Sequence, residues 1–230
     1  MTSPDAPQPE PPEPPARAGL PLPLEIVIAP GRAFLKIART SEWRPAVAVI
    51  VALGVATMLL ALPAVKHFAG AGAHGSPAPT AADVRIQIWF VGLELVLVPL
   101  VIAGLTATTL TLVARFKDPQ APWIRYFALA ANCLVLSALG NFAHVVAVAL
   151  RAPASYQTPR AFQLALPDSL GIFAAPGNDR ELDFLSRFGI FDVWAFVLIA
   201  FGFSAFANVR FTTALILAFV LDFTYAIFFN

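Results

Sequence analysis

The sequence is short of the residues that most soluble chemistry requires. Its 230 residues include one cysteine, three histidines and only 13% charged side chains. A single cysteine excludes an intrachain disulfide and any CxxC metal site. Cys133 also falls inside an apolar run, so it reads as a small core residue. No Walker phosphate loop, GxGxxG, HExxH or GxSxG occurs, so phosphate-loop, dinucleotide, zincin and serine-hydrolase chemistry lack their residues. His67 and His74 have no nearby cysteine or carboxylate to complete a metal site. Ser137 and His144 would share a helix face about two turns apart, too far for a nucleophile and its base to touch. No catalytic residue, metal or cofactor is therefore expected. With no basic domain face and no aromatic–basic interleaving outside the apolar runs, no nucleic-acid partner is expected either.

What the chain has in excess is apolar surface. It is 58% hydrophobic with a mean hydropathy of +0.74, which soluble globular domains rarely approach. Two apolar runs, 190–207 and 212–229, are joined only by Asn208, Val209 and Arg210 and their neighbours. At ~1.5 Å per residue each is about long enough to cross a bilayer core, and so short a link forces an antiparallel helical hairpin. Three earlier runs, about 45–65, 86–114 and 126–150, have the same character. The expected fold is an all-α integral membrane protein, a bundle of five transmembrane helices occupying 45–230. Ala48, Ala52 and Ala56 would let a neighbour approach the first helix closely.

Two segments precede this bundle. Residues 1–23 are proline-rich, have almost no core-forming side chains, and are expected to be a disordered tail. Residues 24–44 differ. A helix begun at Pro30 would carry Phe34, Ile37 and Ala38 on one face and Arg32, Lys36 and Arg39 on the other. Such a basic amphipathic segment suits the headgroup layer of the lipid bilayer, with anionic lipid headgroups as partners and Trp43 at the interface. Between the third and fourth runs, Asn178 and Glu181 resemble an N-terminal capping box. The stripe Leu182, Leu185 and Phe188 is expected to lie on the membrane. Lys/Arg are dense before residue 45 and in the 115–125 and 208–210 loops, and sparse elsewhere. That asymmetry puts the N-terminus in the cytoplasm and the C-terminus outside.

A few polar residues interrupt the apolar runs. Cys133, Ser137, Asn141 and His144 fall on one face of the third, which should look into the bundle. Glu94, His144 and Asp222 lie on three different runs. Counted from Arg85, Arg151 and Asn230, they sit at similar depths of roughly 10–13 Å. Ionisable groups at such depth are costly and are functional candidates by default. They are expected to converge in the interior with Asn141 and Tyr225 as hydrogen-bond partners.

Three features together resemble the Yip-domain family, five-span membrane proteins named for interacting with Ypt/Rab GTPases. They are the segment APGRAFLKIARTSEWRP at 29–45, the five-span count, and FLSRFGIFDVWAFVLIAFGFSAFANVRFTTAL at 184–215. The last holds a Phe-x6-Phe-x-x-Trp pattern leading into an Ala/Gly-rich helix and a tight basic turn. The Asp-Leu-Tyr-Gly-Pro run of eukaryotic members is absent, so the resemblance is to bacterial members. It implies a multi-pass inner-membrane protein that acts as a non-enzymatic scaffold or adaptor, with protein partners or further copies of itself. The competing expectation, from the residues alone, is a small transporter or proton/ion-conducting protein using Glu94, His144 and Asp222.

Overall fold

A computed structural model describes residues 21–71, 80–151 and 163–228. The proline-rich tail up to residue 20 and His74 lie outside the described residues. Helix α1 (Leu22–Ile28) already begins within the expected tail, and Leu22 and Pro23 are buried, so the ordered chain starts earlier than proline content suggests. A proline in the first turn costs a helix nothing, because that N–H has no intrahelical partner. Helix α2 (Pro30–Thr40) follows after a break at Ala29 and ends on Ser41 in the left-handed conformation.

The long helices are α3 (Arg44–Ala71), α4 (Ala81–Arg115), α5 (Trp123–Ala149), α7 (Ile190–Ala207) and α8 (Phe211–Phe228), with the short α6 (Asp179–Ser186) before α7. Among the described residues, α3, α4, α5 and α7 each contain a stretch long and apolar enough to cross a membrane. In α8 the corresponding stretch, Phe211–Tyr225, is shorter. Helices α3 and α4 extend beyond the expected 45–65 and 86–114, and the loop between them shrinks accordingly. Thr80 caps α4. Its hydroxyl accepts from Asp83 N at 3.3 Å, while Thr80 N donates to Asp83 Oδ2 at 2.8 Å. The two donors of Thr80 hold the Asp83 carboxyl below its usual range.

Helix α5 is the centre. Helices α3 and α4 pack on each other and on one side of it, and α7 packs on another side and carries α8. The cause is side-chain size. Ala128, Ala130, Ala131, Ala138 and Gly140 are all buried along α5 and permit close approach where lipid gives no hydrophobic drive to association. Its apolar stretch is 56% buried, against 11% for that of α4. The result is two helical pairs, α3–α4 and α7–α8, mounted on one axis.

The expected contact stripe of α3 is corrected. Ala48 and Ala52 are exposed, whereas Ala46, Ile50, Gly54 and Thr57 are buried. Gly54 is a point of close approach to α4, where an added Cβ would lie 3.0 Å from the Leu95 carbonyl oxygen. A helix apolar all round does not declare which of its small residues face protein.

The apolar face of the basic amphipathic helix, expected in the headgroup layer, packs on protein instead. Ala33, Phe34 and Ile37 of α2 are buried on the bundle, and the Phe34 ring meets Phe206 of α7 edge-on at 6.4 Å. Buried Asn132 of α5 donates to the Glu42 carbonyl at 2.9 Å, tying down the link into α3. At the same end, Lys117 Nζ donates to the Asn208 carbonyl at 2.9 Å, joining the 116–122 loop to the α7–α8 turn. Asn208 takes the left-handed conformation there, and Ser204 Oγ donates to Val209 O at 2.8 Å. Ser204 and Asn208 thus serve the turn.

Candidate functional site

At the far end of the bundle, residues 163–189 fold into a cap. Ile190 N donates to Asp168 O at 2.8 Å and Leu170 N to Phe188 O at 3.2 Å, closing the segment on itself. Glu181 N donates to Asn178 Oδ1 at 3.1 Å and Asn178 Nδ2 to Glu181 Oε2 at 3.0 Å, so this pair does start α6. Leu182 is buried against the short 3-10 turn Leu170–Phe173, and Phe184 meets Phe223 of α8. Of the stripe Leu182, Leu185 and Phe188 expected on the membrane, Leu182 is buried in protein, and Leu185 and Phe188 are half-buried. The Phe188 ring meets that of Phe184 at 5.3 Å.

Beneath this cap lies a cavity of about 480 Å³ between α4, α5, α7 and α8. Glu94 of α4, Asn141 of α5, and Asp222 and Tyr225 of α8 all line it. His144 does not. It lines a neighbouring cavity of about 200 Å³ with Asp168 and Gln163, and the two spaces share Asn141, Ser186 and Asp192. Cys133 is buried in the core of α5, and among the described residues no three His, Cys, Asp or Glu side chains are grouped to hold a metal ion.

Two charged members escaped the sequence expectation. Asp192, in the first turn of α7, stands between both cavities, and Arg187 lines the larger one, as does Ser137 of the inward face expected on α5. Ser137, Asp192 and Asp222 line the same space. Asp192 Oδ2 is folded back on Gly189, 2.7 Å from where a Cβ there would stand. In a sequence, an acid three residues into a helix reads as a capping group, which masks any further role. The only available signal was that it occupies the first turn of a membrane-length helix.

The cavity exists because α4 and α8 make little contact along their length. A hydrogen bond between Thr106 Oγ1 and the Tyr225 hydroxyl, 3.2 Å and buried, bridges them. Tyr225→Phe is expected to remove that bridge at a cost of roughly 0.6 kcal/mol, the usual size of an interhelical hydrogen bond in a membrane. Hydrogen exchange should then quicken in α8 while α5 stays protected. Unchanged exchange in α8 would show that the bridge holds nothing.

Comparisons with known protein families, with curated proteins and with solved structures found no match. The class rests on the fold and the site: among the described residues, a helical protein with four helices long and apolar enough to cross a membrane and a cavity lined by apolar and ionisable side chains between them.

Proposed function

We propose that the chain is a non-enzymatic, five-span membrane protein that admits a proton or small cation to the cavity between α4, α5, α7 and α8 and passes it across the bilayer. One observation carries this proposal. Glu94, Asp192 and Asp222, carboxylates on three different helices, line one space with a single guanidinium, that of Arg187. A charge at the bilayer centre costs about 2.5–3.5 kcal/mol on insertion scales. A cation sharing the space would offset that penalty. The volume of about 480 Å³ also lies within the range of roughly 300–1,000 Å³ of small-ligand sites.

The test is proton and cation flux into liposomes carrying the purified chain and a pH-sensitive dye. Under an imposed potential, the wild type should change internal pH faster than empty liposomes. Glu94→Gln with Asp222→Asn should return the rate to background without loss of folded protein. Wild-type liposomes that behave as empty ones across protons and alkali cations would end the proposal.

A second reading is the scaffold or adaptor of the Yip-domain type. Its support is that the two segments carrying the resemblance, 29–45 and 184–215, meet in space. Phe34 packs on Phe206, and an added Cβ at Gly202 would lie 3.2 Å from the Phe34 ring. Silent liposomes together with a protein captured by the full-length chain in its native membrane would favour it.

A further inference from the structure

Helix α2 is held by its apolar face, so its opposite face is fixed in place at the end of the bundle. That face forms a groove of about 370 Å³ lined by Arg32, Leu35, Lys36, Arg39 and Thr40. The three cations are spaced four and three residues apart and so form one stripe. Two are loosely engaged, Arg32 with Glu25 at 4.0 Å and Lys36 with Glu42 at 3.8 Å. Lys36 and Glu42 are both exposed, so that pair is worth little, and the Arg32 side chain is 76% exposed although Glu25 is largely covered. Arg39 makes no ion pair among the described residues.

The groove is not purely ionic. Leu35 sits among the cations yet is 63% exposed, and Leu24, Val27 and Ile28 of α1 are exposed as well. A soluble anion has no use for exposed leucine. A phospholipid has a phosphate for the guanidinium forks and a glycerol–acyl region for the apolar side chains. The same end of the bundle carries the 116–122 loop and the α7–α8 turn, joined through Lys117 and Asn208. We infer that this groove is a binding site for the headgroup of an anionic phospholipid from the adjacent leaflet.

The test uses the full chain in neutral detergent, with native mass spectrometry and thermal melting as readouts. The probes are short-chain phosphatidylglycerol, short-chain phosphatidylcholine and inorganic phosphate. Phosphatidylglycerol should bind saturably, raise the melting temperature and weaken steeply with added salt, while the other two do neither. A basic residue at an anionic surface contributes about fivefold, so Arg32→Gln with Arg39→Gln should weaken binding roughly 30-fold. Leu35→Asn, which leaves every charge in place, should also weaken it. Undiminished phosphatidylglycerol binding by the double arginine variant would overturn the inference. So would equal stabilisation by phosphatidylcholine or by phosphate alone, indifference to Leu35→Asn, or, should the arginine variant misfold, salt-insensitive binding by the wild type.

Discussion

Gly140→Val is expected to melt well below the wild type and to lose the cavity. Position 140 lies on buried α5, where a Cβ would stand 2.9 Å from both Cβ and Cδ2 of Phe191. Rotating the phenyl ring moves Cδ2 but leaves Cβ in place. The first turn of α7 must therefore shift as a unit, and Asp192 moves with it. Overpacking of this kind costs typically 1–3 kcal/mol, which at about 2–4 °C per kcal/mol for a chain of this size is a fall of roughly 2–12 °C. Gly104→Val is the control, since nothing lies within 4 Å of a Cβ there, and it should melt within about 1 °C of wild type. Thermal unfolding in one detergent compares the three. A Gly140→Val chain that melts with the wild type would mean that α5 and α7 do not approach as described.

The five-span reading makes an all-or-none prediction. Lys117 reaches the Asn208 carbonyl, so the 116–122 loop and the α7–α8 turn share one side. Helix α8 has 18 residues, which at ~1.5 Å per residue is about 27 Å, close to the hydrocarbon thickness. A cysteine at Pro119 and one at Asn230 should then be labelled by an impermeant maleimide from opposite sides of the membrane. The background is clean, because the single native thiol, Cys133, is buried. Labelling of both positions from the same side would leave α8 as a helix lying on the bundle and not a span.

The apolar runs were legible because length and hydropathy are properties of the chain itself. The bounds of α7 coincide with the expected 190–207, since Gly189 and Asn208 punctuate both ends. Which side of each helix meets protein was far less legible. Helices apolar on every face carry no moment, so Ala48 and Ala52 looked as suitable for packing as Ala46 and Gly54. The central place of α5 has a trace in its composition: its apolar stretch has the lowest mean hydropathy of the four, 1.6 against 2.0–2.5. The least lipophilic helix is the one other helices cover.

The site was legible by residue type and not by partition. Glu94, Asn141, Asp222 and Tyr225 stand out because polar groups are rare in such runs, and they do line one cavity. His144 shares depth with them and a helix face with Asn141, but it stands nearer the end of α5, where the cap and not α4 or α8 meets that face. It turns instead toward Asp168 and Gln163 of the cap. The cap brings its own polar residues by non-local pairing across 168–190, which no periodicity encodes. For the same reason α2 could be recognised as amphipathic while its partner, Phe206 of α7, could not be named.

The two pairs mounted on α5 differ in length. Helices α3 and α4 have 28 and 35 residues, while α7 and α8 have 18 each. At ~1.5 Å per residue the apolar stretch of α4, 28 residues, is about 42 Å long, and α7 about 27 Å. One bilayer cannot match both. A thinner membrane suits α7 and α8 and favours tilting of α4, and a thicker one reverses the burden, each at a fraction of a kcal/mol per Å. The 21-residue apolar stretch of α3 lies between. Because Glu94 stands on α4 and Asp192 and Asp222 on the short pair, the separation of these carboxylates is expected to change with the thickness of the surrounding lipid.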